Sequence, residues 1–468
     1  MTELKNDIKI KIGLEVHVSL TTGSKLFCGC STRWQGKEPN TNCCVTCLGM
    51  PGSKPRLNKK AVDCGIMIGI ALNSRISGSM YFSRKSYFYP DMSKNFQITQ
   101  YEIPICLGGS LMLGSRQIRI RRIQLEEDPA RLVHSDGSIE SSKYVLIDYN
   151  RSGVPLCEIV TEPDFESPKE ARLFLQKLSS MLEYLGVYDS SLEGSMRVDA
   201  NVSINGGERV EIKNISGFKE VEQALAFEIV RQSNLAKRGH VVSQETRGFN
   251  PSSKTTILQR TKEFEEEYGY IFEPDLTVIE IEARDVKKIE KMIPEMPDER
   301  MKRYSRVIGE ELAESIVTDL QLAELFEECM KEVEPSVAAT WLGNVLKKIL
   351  NYHNMRMKDT AISSDQMIRF LKAVSAKEIT NTTGEMILRE MVMPAGKEIS
   401  MEKFSRIDDG SEIRNFVRKV MDSNPQAVQD LKNGRTEAVK FLVGRVMKES
   451  GGRADPNLAR KLIEELSS

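Results

Sequence analysis

DIKIKIGLEVHVSL, residues 7–20, places Ile8, Ile10, Ile12, Leu14, Val16, Val18 and Leu20 on alternate positions without a break. Side chains of an extended chain alternate between two faces, so this period of two predicts a half-buried strand with one apolar face. Glu15 and His17 then lie side by side on the other face. The same pattern continues outward from this stretch. SRQIRIRRIQLEED, residues 115–128, alternates through Ile118 and Ile120, skips a beat at Arg121 and Arg122, and resumes at Ile123 and Leu125, which predicts a bulge. It delivers Glu126, Glu127 and Asp128 at its end. MRVDANVSI, then Asn205-Gly206-Gly207 and RVEIKNI, reads as a hairpin with Met196, Val198, Ala200, Val202 and Ile204 inward. Arg197, Asp199, Asn201 and Ser203 share its other face.

Helices interrupt these strands. Ser167-Pro168 supplies an N-cap and a first-turn proline, Leu175, Leu178, Leu182 and Leu185 form an apolar stripe, and Gly186 ends the helix. A second helix is expected from about Gly217 to Gly239. Beyond Pro297 nearly everything has helical spacing, as in EELAESIVTDLQLAELFEECMKEV and AATWLGNVLKKILNYH. Gly396, Gly410, Asn424-Pro425, Gly434, Gly451-Gly452 and Pro456 cut the last part into short helices. The expected fold class is α+β: a β-rich, mostly antiparallel body over 1–297, a helical domain over 298–405, and a small all-α tail over 406–468. The 468 residues suffice for about three such domains.

The 66 basic and 67 acidic side chains nearly cancel, so any nucleic-acid contact must come from a local patch. The N-terminus has no apolar signal core, and no stretch approaches a membrane span, so a cytoplasmic setting is expected. Thiols stay reduced there. Five of the nine cysteines nevertheless crowd into KLFCGCSTRWQGKEPNTNCCVTCLG, residues 25–49. Cys28-x-Cys30 and Cys44-x-x-Cys47 offer two close thiolate pairs, the pattern of a four-sulfur zinc site that closes one loop over 28–47. Cys43 is a spare or an alternative ligand, and a reduced or redox-active cluster is the competing reading. Cys64, Cys106, Cys157 and Cys329 lie apart, as buried small apolar residues do.

No phosphate-binding GxxxxGK[ST], no GxGxxG and no nucleophile elbow is present. What remains is a set of strand-borne acids with one imidazole: Glu15, His17, Glu126, Glu127, Asp128, Asp148 and Glu158. Glu158 lies in the otherwise apolar PLCEIV, where an unpaired carboxylate is expensive to bury. Acidic oxygens with one histidine suit a hard cation such as Mg²⁺, which in turn holds ATP phosphates. Spacing alone goes no further, because charge runs are usually solvated.

IGLEVHV, KLFCGCST, PNTNCCVTCLGMPG, RKSYFYPDMSK, QITQYEIPI, QLEEDPARLVH, DYNRSGVPLCEIVTEPD, EGSMRVDANVSI, VEIKNI, QETRGF and FEPDL, in this order, resemble the B subunit of the tRNA-dependent glutamyl/aspartyl-tRNA amidotransferase. KFLVGRVMKESGGRADPNLARKLIEEL resembles that family's C-terminal domain. The paralogous archaeal E subunit is similar too, but carries an inserted domain for which this length leaves no room. The resemblance implies a catalytic cradle domain with a zinc knob, and a ligase that forms a carbon–nitrogen bond with glutamine as amide donor. ATP phosphorylates the side-chain carboxylate of mischarged Glu-tRNA(Gln) or Asp-tRNA(Asn), and ammonia from a separate amidase (glutaminase) A subunit displaces phosphate. A small C subunit completes a heterotrimer. Carried over by residue, the Mg²⁺ and phosphoryl-transfer group is His17, Glu127 and Glu158, with Glu15 and Glu126 as neighbours. Lys85, Tyr87, Arg131 and Arg151 are candidates for holding nucleotide or the aminoacyl end, and Cys28, Cys30, Cys44 and Cys47 for zinc. Two departures stand out: EEDPAR where relatives commonly have EEDAGK, which puts a phosphate contact at Arg131 in question, and Val45 in place of a proline beside the extra Cys43. The alternative is a zinc-containing tRNA-binding scaffold without chemistry. The tail holds twelve Lys or Arg against ten Asp or Glu. Arg414, Arg418, Lys419, Arg435, Lys440, Arg445, Lys448 and Arg453 are its candidate tRNA contacts, with Phe441, Val443, Val446 and Met447 facing inward.

Overall fold

The computed structural model describes residues 8–135, 142–261, 269–393, 406–407, 409–432 and 437–467. The chain divides into two compact units, Met1–Met296 and Pro297–Ser468. The first strand, β1 (Ile10–Ser19), buries Ile12, Leu14, Val16 and Val18 to 1% exposure or less, as its alternation requires. After helix α1 (Lys59–Ala71) come β2 (Ser83–Ser86), β3 (Phe96–Thr99), β4 (Arg116–Glu127) and β5 (Pro155–Thr161). Helix α2 (Pro168–Tyr184) is followed by β6 (Met196–Ile204) and β7 (Val210–Ile215). Then follow α3 (Phe218–Lys237), β8 (Glu245–Asn250), β9 (Thr255–Thr261) and β10 (Gly269–Phe272).

These strands form one sheet in the order β9-β8-β7-β6-β1-β5-β4-β3-β2-β10, antiparallel except for the β7–β8 pair. One face is apolar. Ile123, Leu125, Cys157, Ile159, Val198 and Ala200 join the β1 residues there and form a single core with Leu175 and Leu178 of α2 and Val221 and Leu225 of α3. Local sequence explains the joints. Ser167 accepts a hydrogen bond from Glu170 N to cap α2, and Pro168 occupies its first turn. Asn205 and Gly206 both take positive φ, 52° and 74°, the conformation a tight turn between twisted strands needs. The pairing of β5 with β4 jumps from Val160↔Arg122 to Thr161↔Ile120, so Arg121 is the extra residue of a bulge where the alternation skips.

In the second unit, the stretch of helical spacing around Asp319 forms two helices, Glu310–Val317 and Leu320–Cys329, because the Asp319 side chain accepts from Leu322 N and starts the second. The tail is built of Gly410–Ser423, Pro425–Lys432, Glu437–Glu449 and Pro456–Ser467 around Ile413, Val417, Leu442, Val446 and Ile463. Phe441 does not face inward as expected. The buried stripe of its helix is Ala438, Val439, Leu442 and Val446, at helical spacing, which leaves Phe441 46% exposed with the Arg445 guanidinium over its ring. The breakers Gly396 and Gly434 lie outside the described residues. The structure is thus α+β, with a mostly antiparallel sheet and a helical C-terminal region. Among the described residues no helix is long and apolar enough to cross a membrane.

Candidate active site and thiol knob

The second face of the sheet is polar, and strand register brings its side chains together. Opposite His17 lie Glu158 on β5 and Arg197 on β6; opposite Glu15 lies Asp199; opposite Glu158 lies Gln124 on β4. All of these line one cavity of about 320 Å³, together with Glu126 and Arg122 from β4, Glu211 and Lys213 from β7, Lys85 and Tyr87 at β2, and Gln97 and Thr99 of β3. A stacked pair of rings, Tyr101 and Tyr270, 3.9 Å between centroids, also lines it.

Two groups of donors converge inside. The imidazole Nε2 of His17 lies 3.5 Å from Glu126 Oε1, and His17, Glu126 and Glu158 each offer a ligand atom within 4.8 Å of the others. Glu15, Asp199 and Glu211 form a second such set. Glu158 is not left unpaired in its apolar strand: the Gln124 amide Nε2 donates to its Oε2 at 2.5 Å. Asn201 donates to Glu15 at 3.1 Å, and the backbone N of Asn214 to Asp199 at 2.7 Å. Burial pushes the Glu126 carboxyl up to about 7, with the Glu158 charge adding to it. Glu158 is pushed up to about 7 by burial and then by Glu15. Two carboxyls poised in this way, beside an imidazole and further acids, suit a hard divalent cation, whose charge offsets their burial and mutual repulsion.

Glu127 is placed differently from the sequence expectation. Continuing the alternation of β4 past Ile123 and Leu125 puts Glu127 on the opposite side of the strand from Gln124 and Glu126. There its Oε1 accepts from Lys94 Nζ at 2.5 Å and from Ile98 N at 2.8 Å. Arg131 and Arg151 also lie away from the cavity lining. Arg131 sits on a separate two-stranded ribbon opposite Asp148, 5.9 Å above the Trp34 ring. Arg151 donates to the carbonyls of Pro129 and Ala130 at 3.0 and 2.7 Å and lies 3.6 Å from Asp128. Of the expected residues, the cavity gathers Glu15, His17, Glu126, Glu158, Lys85 and Tyr87. It adds Gln124 and Glu211, which sequence reasoning did not single out, although the alternation of β4 and of VEIKNI already placed both on the polar face.

The cysteine-rich segment forms a knob. The sulfurs of Cys28, Cys30, Cys44 and Cys47 lie within 4.8 Å of one another, with Cys28–Cys47 at 3.5 Å and Cys44–Cys47 at 3.8 Å. Cys43 points elsewhere and donates to the Asn40 carbonyl at 3.3 Å. Hydrogen bonding from Cys28 holds Cys47 down to about 4, and the fully buried Lys25, 3.4 Å from its sulfur, favours the thiolate further. Four sulfurs at these separations fit one soft metal ion.

In the tail, Arg414 pairs with Glu465 at 3.2 Å and Lys440 with Glu437 at 3.3 Å, while Lys419 pairs with Glu449 and Arg453 donates to the Ser450 carbonyl. Arg435 lies outside the described residues.

The first unit is thus a mostly antiparallel sheet with an acid-lined cavity on its polar face and a four-thiol cluster. Residues 10–287 match the GatB/GatE catalytic domain, and residues 324–466 match the GatB domain. Among full-length relatives is the B subunit of the aspartyl/glutamyl-tRNA(Asn/Gln) amidotransferase of Methanospirillum hungatei, 44% identical, with 98% of each chain covered. The proteins of the same name from Haloquadratum walsbyi and Sulfurisphaera tokodaii are 42% and 45% identical, covering 98% of this chain and 97% and 99% of theirs. The chain belongs to this family of amidotransferase B subunits.

Proposed function

We propose that this chain is the subunit of a tRNA-dependent amidotransferase in which a mischarged aminoacyl-tRNA is activated by ATP and then amidated. The observation that supports this most strongly is the convergence of His17, Glu126 and Glu158, and beside them Glu15, Asp199 and Glu211, in one cavity of a chain from this family. A carboxylate is a poor electrophile, so the side chain of Glu-tRNA(Gln) or Asp-tRNA(Asn) must become an acyl phosphate before ammonia can displace phosphate from it. The two donor sets would hold Mg²⁺, which supplies charge neutralisation between donor and acceptor oxygens. The chain's own groups do the rest. Gln124 fixes the Glu158 carboxylate, and Asn201 fixes Glu15. Arg122, Arg197, Lys85 and Lys213 line the same cavity and offset the charge of a transferred phosphoryl group. Arg197 is itself held by Asp128 at 2.7 Å.

Ammonia comes from a glutaminase A subunit, and a small C subunit completes the assembly in the cytoplasm. The knob takes zinc through Cys28, Cys30, Cys44 and Cys47 and serves folding rather than chemistry. The body over 1–297 carries the chemistry, the helical domain over 298–405 follows, and the tail over 406–468 grips the tRNA body. The test is phosphate release from ATP by the assembled complex. Release that requires the mischarged tRNA, and that fails when His17, Glu126 or Glu158 is replaced, supports the reading. Release that ignores these replacements contradicts it, and a complex that binds tRNA without turning over ATP restores the scaffold alternative.

A further inference from the structure

The loop between β2 and β3 holds two aromatic rings in water beside the cavity. Phe88 is 90% exposed and Tyr89 50%. They directly follow Tyr87, which lines the cavity. The loop is fastened rather than loose. Tyr87 N donates to Asn95 O at 3.3 Å, and Met92 N to Tyr89 O at 3.0 Å. Ala130 N donates to Asp91 O at 3.0 Å, Ser93 Oγ to Cys47 O at 2.7 Å, and Lys94 Nζ to Glu127 at 2.5 Å. The thiol knob braces the same loop so closely that a Cβ on Gly49, at φ +62°, would sit 2.3 Å from Lys94 Cγ. The inner half, from Asp91 to Asn95, is therefore pinned, and the outer half presents its rings. An apolar ring that a fastened loop keeps in water is a contact without its partner.

The character of the patch points to what covers it. The rings adjoin the cavity through Tyr87, and that cavity is lined by the cations Lys85, Arg122, Arg197 and Lys213. Flat rings at the mouth of a cation-lined cavity suit unpaired nucleotides, which stack on aromatic faces whatever their base. The adjoining cavity, on the reading above, receives the aminoacylated 3′ end of a tRNA, whose last nucleotides are single-stranded. We propose that Phe88 and Tyr89 form a stacking ledge for those terminal nucleotides and position the aminoacyl group over the acid-lined cavity. The proposal rests on that reading for the identity of the nucleic acid.

The test uses the assembled amidotransferase and two probes, an intact tRNA and the same tRNA lacking its three 3′-terminal nucleotides. Phe88→Ala should weaken binding of the intact tRNA by roughly five- to a hundredfold, the range for one lost base stack. Phe88→Trp should restore it. Neither change should alter binding of the truncated tRNA or the melting temperature. Three results would overturn the ledge: unchanged binding of intact tRNA, an equal loss on the truncated tRNA, or loss of co-purification with the amidase subunit, which would assign the rings to a protein contact. A wild-type complex that binds intact tRNA through Phe88 yet forms no amide would overturn the functional reading and leave the ledge standing.

Discussion

Glu126 and Glu127 are neighbours in sequence and lie on opposite sides of a strand. Glu126 shares its face with His17 and Glu158, whereas Glu127 is held by Lys94 and a backbone amide. Exchanging either for glutamine removes one charge and keeps the shape, so the two variants separate chemistry from structure. Glu126→Gln should lower tRNA-dependent phosphate release by more than about a hundredfold, several kcal/mol of transition-state stabilisation. Glu127→Gln should keep most of the turnover but lower thermal stability by about 1–3 kcal/mol, since Lys94 loses its buried partner. The reverse pattern would place the chemistry at Glu127. The buried carboxyls of Glu126 and Glu158 set a pH dependence. Both sit near 7 in the folded chain against 4.5 for the free group. Between those values the folded state binds more protons than the unfolded one, so in metal-free protein their contribution to stability falls as pH rises through that window and is level above it. A divalent ion must displace those protons. Mn²⁺ affinity should therefore climb at least about tenfold from about pH 6 to about pH 8 and flatten beyond, as titration calorimetry would show. An affinity independent of pH would mean that these carboxyls are not the ligands.

At the scale of elements, what is local was legible and what is not local was hidden. The period of two in β1, the skipped beat at Arg121, the Asn205-Gly206 turn and the Ser167-Pro168 start each follow from a few adjacent residues. All appear in the structure. The order of strands is different in kind, because β1 lies between β5 and β6, whose residues are more than a hundred positions away. No local pattern announces that pairing, and it is the pairing that builds the cavity. Glu126 and Glu127 differ for a related reason: the resemblance singles out Glu127 with Glu126 as its neighbour, whereas the pleat turns Glu126 toward His17 and Glu158 and Glu127 toward Lys94. The knob makes a sharper prediction. Cys44→Ser should lower bound zinc from about one per chain to near none and loosen the Ser93 loop, while Cys43→Ser should leave zinc unchanged, because only Cys44 joins the other three sulfurs. Elemental analysis of both variants, purified without chelator, decides it. Equal zinc in the two would break the four-sulfur assignment.

For the whole molecule, near-zero net charge speaks against indiscriminate attraction to nucleic acid, and the tail agrees with this by pairing several of its cations with its own acids. Function must then reside in a shaped site rather than in bulk charge, and the sheet supplies that site from strands spread along most of the first unit. The task assigned to this cavity is to make an acyl phosphate on a tRNA-borne carboxylate. The decisive measurement assembles the chain with the amidase and small subunits proposed as its partners, adds mischarged Glu-tRNA(Gln), and follows ADP and amide together, with glutamine or with free ammonia as the nitrogen source. About one ADP is expected for each amide formed, since each amide requires one acyl phosphate. With free ammonia the amidase nucleophile should become dispensable, while His17 and Glu126 remain essential. Amide formed without ATP consumption, or formed at wild-type rate by the His17→Ala complex, would contradict that assignment.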